Sequence, residues 1–199
     1  MIHTFGDSHC TEACGVFGVF NIQRHHLGPI LCYSFGKEKL NRLNIKNYNI
    51  QENDTCIFTF GEIDCRNHIN TYISSTNTYQ NIIDNMIDNY FIAIDLNVKQ
   101  YNRITVYVYN VIPPANIQWQ YPYPYKGSNE ERLQYVTYFN QKLKEYCNKY
   151  NYKFFDIYNM YADNNGYLNQ AYSYDGCHLS QNTSMFIKDF MDKNNIILI

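Results

Sequence analysis

Residues 2–9 read Ile-His-Thr-Phe-Gly-Asp-Ser-His: a short apolar run, closed by Gly6 and followed at once by three side chains able to do chemistry. An apolar run of this length ended by glycine reads as a buried strand. The pattern returns at 55–60 (TCIFTF), closed by Gly61, which makes the second clear strand of the chain. It returns again at 103–112 (RITVYVYNVI), stopped by Pro113 and Pro114, and more briefly at 153–157 (KFFDI). Helical signals lie between these runs. Tyr79, Ile82, Ile83, Met86, Ile87, Tyr90, Phe91 and Ile94 recur at i, i+3, i+4 and i+7, with Thr76 or Ser75 as the expected cap. Ser128-Asn-Glu-Glu131 fits a capping box ahead of Leu133, Val136, Phe139, Leu143 and Cys147. Residues 30–42 and a final amphipathic stretch near 181–193 are further helices, and residues 10–22 carry no clear signal. Strand and helix alternate, so the strands belong in a sheet covered on both faces. Such sheets bind ligands at the carboxyl ends of their strands.

The composition narrows the function. With 199 residues and no interdomain linker, the chain is expected to form a single domain over 1–199. Sixteen basic residues are scattered without a run and the net charge is −2, which argues against nucleic acid. The seven cysteines are odd in number and include no C-x-x-C pair, so buried thiols in a reducing compartment are expected. The first residues lack the basic and apolar regions of a signal peptide, and no stretch is long and apolar enough to span a membrane. A cytoplasmic location with no membrane partner is the expectation.

Two clusters carry the chemistry. Gly6-Asp7-Ser8-His9 follows the first strand, where a serine hydroxyl beside a base becomes a nucleophile and nearby backbone N–H groups can hold an oxyanion. Taken alone it reads equally as a helix cap or turn. Asp175-Gly176-Cys177-His178 stands near the other end, where a carboxylate and an imidazole three residues apart can face the same way. Alone, it is a turn with an incidental histidine. Together they are far more specific.

The pair, with Gly28-Pro29 and Phe60-Gly61-Glu62-Ile63-Asp64, resembles the SGNH (GDSL-like) hydrolase family across nearly the whole chain. The resemblance implies a three-layer α/β/α sandwich with a central parallel sheet, flavodoxin-like in arrangement. It implies Ser8 as nucleophile, His178 as base and Asp175 as the orienting acid, with no metal and no cofactor. Gly28 matches the glycine whose N–H lines the oxyanion hole. The family's G-x-N-D block starts at Gly61 but puts Ile63 where the donating Asn belongs, so either two backbone donors suffice or a neighbour such as Arg66 or Asn67 replaces the amide. Arg66 reads equally as a structural partner of Glu62 or Asp64. The nearest rival, the α/β-hydrolase, expects a G-x-S-x-G that is absent around Ser8.

Other signals rank lower. A metal site at His9, Cys10 and Cys14 lacks ligand spacing. His25-His26 reads as a surface pair that could touch substrate. Cys177 is disfavoured as a nucleophile because adjacent side chains point apart. Trp119, Tyr121, Tyr123 and Tyr125 could stack on sugar rings, though a loop packed over the sheet is the commoner meaning. No amphipathic surface segment favours a lipid ester. The reaction expected is hydrolysis of an ester on a small molecule or glycan, an O-acetyl group being the leading choice. An acyltransferase using the same triad and a non-catalytic glycan-binding module are the alternatives.

Overall fold

The computed structural model describes residues 1–11, 22–117, 123–180 and 184–195. Five strands make one sheet: β1 (Ile2–Gly6), β2 (Ile22–His26), β3 (Thr55–Thr59), β4 (Thr105–Tyr109) and β5 (Lys153–Phe155). They lie in the order β2-β1-β3-β4-β5, and every neighbouring pair is parallel. One face of the sheet is covered by α1 (Cys32–Glu38), α3 (Tyr79–Val98) and α4 (Asn129–Tyr150); a π-helical turn (Asp64–His68) runs into the short α2 (Ile69–Tyr72). The short α5 (Tyr158–Tyr161) and α6 (Ser184–Lys193) cover the other face.

Period-two alternation explains the two cores. Cys56, Phe58, Val106 and Val108 face α1, α3 and α4, burying Phe35, Ile83, Ile87 and Phe139. Ile57, Tyr107 and Tyr109 face the opposite way, towards Tyr161, Ile187 and Met191. This is the three-layer α/β/α sandwich with a parallel sheet. The capping box is as expected: Ser128 Oγ accepts Glu131 N–H at 3.2 Å and Glu131 Oε2 accepts Ser128 N–H at 2.7 Å.

Three expectations need correction. The helix α3 is capped by Thr78, whose Oγ1 accepts Asn81 N–H at 3.3 Å, because Ser75 and Thr76 lie within the preceding turn. The second strand is β2, ahead of 55–60. Its burial is too slight to leave an apolar pattern, since Gln23, Arg24 and His26 are exposed on the sheet edge. His25 is not a surface residue like His26. It stacks on Phe5 at 4.6 Å and meets the edge of Tyr48 at 4.6 Å. Cys14, Trp119 and Tyr121 lie outside the described residues.

The inner end of β2 carries a pH-dependent contact. His3 Nε2 lies 3.2 Å from Asp54 Oδ2, and His3 Nδ1 lies 3.0 Å from His25 Nε2. Burial, then the neighbouring His3, holds His25 down at about 4. The unfolded chain therefore binds a proton that the folded chain refuses between pH 6.5 and about 4. Stability from this contact is present above pH 6.5 and lost as pH falls through that window. Thermal melts across it should show a falling Tm, and His25→Leu should flatten the fall.

Candidate active site

The carboxyl ends of β1 and β3 sit side by side, with Gly6 opposite Thr59, so the residues after each open on one edge of the sheet. Ser8 is half-buried there, at the start of a single helical turn whose Thr11 N–H returns to Ser8 O at 3.1 Å. The far end of the chain supplies its partner. Ser8 Oγ lies 2.8 Å from His178 Nε2, and His178 Nδ1 lies 2.6 Å from Asp175 Oδ2. With Nδ1–H facing the carboxylate, Nε2 is left to accept the serine proton. Residues 170 positions apart are thus joined in one Ser8–His178–Asp175 hydrogen-bonded chain.

The turn that presents His178 is built by Asp175 itself. Its Oδ1 accepts Cys177 N–H at 2.8 Å and His178 N–H at 2.7 Å. Burial pushes the carboxyl up, but the His178 ring and the two N–H groups outweigh it and hold it below the usual carboxylate range. Ser173 closes the turn from outside, with Oγ–H donating to His178 O at 2.7 Å and Gly176 N–H donating to Ser173 Oγ at 2.8 Å. Gly176 has φ +88°, a left-handed backbone that favours glycine, and a Cβ there would press on the end of the Ile117 side chain.

A second carboxylate–imidazole pair lies behind the first. His9, 3% exposed, places Nδ1 3.0 Å from Asp7 Oδ1, and its ring lies 4.8 Å from that of His178. Complete burial opposes its charge, yet Asp7 raises His9 well above the imidazole range. Cys177 completes the group: one ligand atom each from His9, Cys177 and His178 fall within 4.8 Å of one another. The expectation that Cys177 and His178 point apart is therefore corrected, since the curl at Gly176 turns both inward. Cys177 is still a poor nucleophile, because burial and then Glu62 push its thiol up. These three could hold a soft metal ion. Cys10 could not join them, its thiol being turned to His25 O at 3.6 Å.

The loop after β3 uses its polar groups to hold itself. Gly61 has φ +119°, and a Cβ there would meet Phe139 Cε1 at 2.7 Å. Ile63 is 3% exposed and packs inward. Asp64, fully buried, accepts Cys32 N–H at 2.7 Å and Tyr33 N–H at 3.2 Å. Arg66 is turned to Glu62, with Nη2 3.0 Å from Glu62 Oε2, and its guanidinium lies 5.7 Å from the Tyr125 ring centre. Asn67 Nδ2–H donates to Pro124 O at 2.7 Å. Gly28 follows β2 with φ +78°, one residue beyond Leu27, whose N–H donates to Gly6 O at 2.9 Å. That places it beside the end of β1. Of the aromatic loop, Tyr125 is buried under Arg132 at 4.6 Å, so it offers no open face, while Tyr123 is exposed.

The parallel α/β/α sheet gathers Ser8, His178 and Asp175 at the carboxyl ends of its strands, where sheets of this kind bind ligands. The chain belongs to the GDSL-like lipase/acylhydrolase family, whose model matches residues 24–187. This is a family of ester-hydrolysing enzymes, so ester hydrolysis is the general activity it brings. No curated protein matches the chain by sequence. Among solved structures, it is similar to a putative acylhydrolase from Bacteroides fragilis, at 17% identity and a TM-score of 0.69, covering 100% of this chain and 88% of that one. An acetyl xylan esterase aligns at 14% identity and a TM-score of 0.59, covering 97% and 98%. Phospholipase A1 from Streptomyces albidoflavus aligns at 10% and 0.60, covering 96% and 98%. At these identities the likeness is one of fold. No helix among the described residues is long and apolar enough to cross a membrane.

The Glu62–Arg66 pair gives a stability test. The two side chains are 13% and 9% exposed, so removing one leaves the other charged and poorly solvated. Arg66→Ala should cost about 3 kcal/mol in denaturant unfolding. On any ester the protein turns over, kcat should stay within about twofold of the parent; a tenfold loss in kcat at unchanged KM would instead put the guanidinium on the reacting oxygen.

Proposed function

We propose that this chain is a serine esterase that works through an acyl-serine intermediate, with O-acetyl groups on a sugar or glycan as its substrate. The observation that carries the reading is the Ser8–His178–Asp175 relay, with spacings of 2.8 and 2.6 Å. Ser8 Oγ attacks the ester carbonyl carbon as its proton passes to His178 Nε2. The developing oxyanion is held by the backbone N–H groups of Ser8 and Gly28. The bond from the carbonyl carbon to the alcohol oxygen then breaks, and the alcohol leaves with the proton from His178. Water repeats the sequence on the acyl-serine: it gives a proton to His178, the acid departs, and Ser8 recovers its hydrogen.

Two features support acetyl over a long acyl chain. The space lined by Asp7, His9, Thr59, Phe60, Val111 and Ile112, beside the His178 ring, is only about 10 Å3, which leaves no room for a long acyl chain. The acetyl xylan esterase with the same fold is the second support, although the phospholipase shows that the fold alone does not choose.

The test is direct. The parent protein should take up a fluorophosphonate probe and hydrolyse aryl acetates faster than aryl esters of longer acids. Ser8→Ala should lose labelling and about 10⁴-fold or more of kcat without a change in Tm, since Ser8 is half-buried and packs little. Asp175→Asn should lose about 10³–10⁴-fold, because the amide supports the wrong imidazole tautomer. A parent protein inert to the probe would leave a non-catalytic module as the reading.

A further inference from the structure

A wide cavity lies away from the relay. A cleft of about 400 Å3 opens between α1, the turn leading into α2, and α3. That volume lies within the range of small-ligand sites. One wall is aromatic: the His68 ring sits between Tyr33 and Tyr72, with ring centres 4.6 Å from each. Tyr33 and Tyr72 keep 39% and 56% of their surface exposed, which is unusual for rings held in a stack. The opposite wall is a row of amides. Asn81 and Asn85 stand one helical turn apart on α3, and Asn77 precedes them in the turn.

The chemistry of the lining selects the ligand. No residue of the cleft carries a formal charge, and burial holds His68 below the usual imidazole range. Ile82 is the one aliphatic side chain. Lys37 Nζ lies 5.8 Å from the Tyr33 ring centre but outside the lining, so the cleft wall itself offers anions no charge and long acyl chains little apolar surface. Exposed aromatic faces beside amides suit a molecule with an apolar C–H face and a rim of hydroxyls. The amides are open for this. The Asn81 side chain makes no hydrogen bond within the described residues, and Asn85 commits only its oxygen, to Asn89 at 3.3 Å. Asn77 commits only its nitrogen, to Tyr72 O at 3.3 Å.

The cleft also hangs from the site. Tyr33 follows Cys32, and both donate their N–H groups to Asp64, three residues beyond Gly61 on the loop after β3. We propose that this cleft binds a neutral saccharide, stacked on Tyr72 and Tyr33 and hydrogen-bonded to Asn77, Asn81 and Asn85. Its further assignment as the seat of the alcohol half of the ester rests on the esterase reading above.

The experiment separates the two claims. Unacetylated xylo-oligosaccharide is titrated into the parent protein, Ser8→Ala, Tyr72→Ala and Tyr72→Phe, with binding followed by calorimetry. The parent, Ser8→Ala and Tyr72→Phe should bind alike, and Tyr72→Ala should bind about five- to tenfold more weakly. Tyr72 is exposed, so its loss should not unfold the chain; Asn81→Ala, also exposed, checks the amide wall with a similar loss. Unchanged affinity in both alanine variants would overturn the site. So would a fatty acid or phosphate ester binding in place of the saccharide with the same dependence on Tyr72. For the second claim, Tyr72→Ala should raise KM for an acetylated xylo-oligosaccharide by the same factor and leave aryl acetate kinetics at parent values. A parent without turnover on either ester would remove the esterase reading alone, while the titration still decides the cleft.

Discussion

Asp64, a carboxylate with no exposed surface, accepts the first two N–H groups of α1, and the geometry of the site follows from that contact. Helix starts leave N–H groups without intrahelical partners, and a carboxylate there satisfies them. Burial opposes this strongly enough to lift Asp64 to about 7, even against the pull of the two N–H donors. The contact joins the loop after β3 to the helix after β2. Those two strands flank β1 in the sheet, so the joint spans the end of β1 where Ser8 begins. Gly28 is caught in the same span, since the segment carrying it has to run from β2 to the capped start of α1. A single buried carboxylate thereby fixes the surroundings of the serine from both sides.

The histidine is fixed by the same device on a smaller scale. Asp175 binds two backbone N–H groups with one oxygen and the ring with the other, so the acid that orients the base also shapes the turn that carries it. Side-chain rotation cannot then separate ring orientation from loop conformation. Glu62 adds a bond from a different segment: it pairs with Arg66 on its own loop and stands 3.8 Å from the Cys177 thiol beside His178. The loop after β3 is therefore linked forwards to the histidine turn and sideways to α1.

Much of this was legible in the sequence because it is local. The relay residues lie in two short stretches, a strand ended by Gly6 and a four-residue turn, each ambiguous alone and specific only as a pair that resembles the family's blocks. The alternation of strands and helices was legible through apolar β-rich runs closed by glycine or proline and a helical periodicity in α3, while the three-layer sandwich itself came from the family resemblance. What stayed hidden was not local. β2 lies on an edge with polar residues facing solvent, so burial leaves no pattern in Ile22–His26. The inward turn of Cys177 depends on a positive φ at Gly176 pressed by Ile117. The aromatic cleft draws on three segments, and in each the contributing residue reads as an ordinary helix surface. Tyr125 is the converse case. The sequence left open a sugar-stacking aromatic face beside the commoner packed loop, and Arg66 and Arg132 pack against the Tyr125 ring.

Ile63 is where this chain departs most from the pattern of its family, and the surrounding contacts give the departure a physical meaning. The side chain packs inward at 3% exposure, Arg66 is drawn to Glu62, and the Asn67 amide is drawn to Pro124 O. The donors that could have served an oxyanion from this loop are instead holding the loop in place. On the proposed mechanism the charge of the intermediate then falls to backbone N–H groups, whose positions the Asp64 joint sets. Loss of one oxyanion donor typically costs ~10²–10³ in rate. Binding energy gathered away from the reacting bond can offset part of such a loss if it is realised as orientation of the ester over the serine. A saccharide held in the cleft beside α1 is attached through Tyr33 to the same Asp64 contact that positions the backbone donors. Substrate anchoring and oxyanion support would then share one rigid element, which is the condition under which remote binding translates into rate.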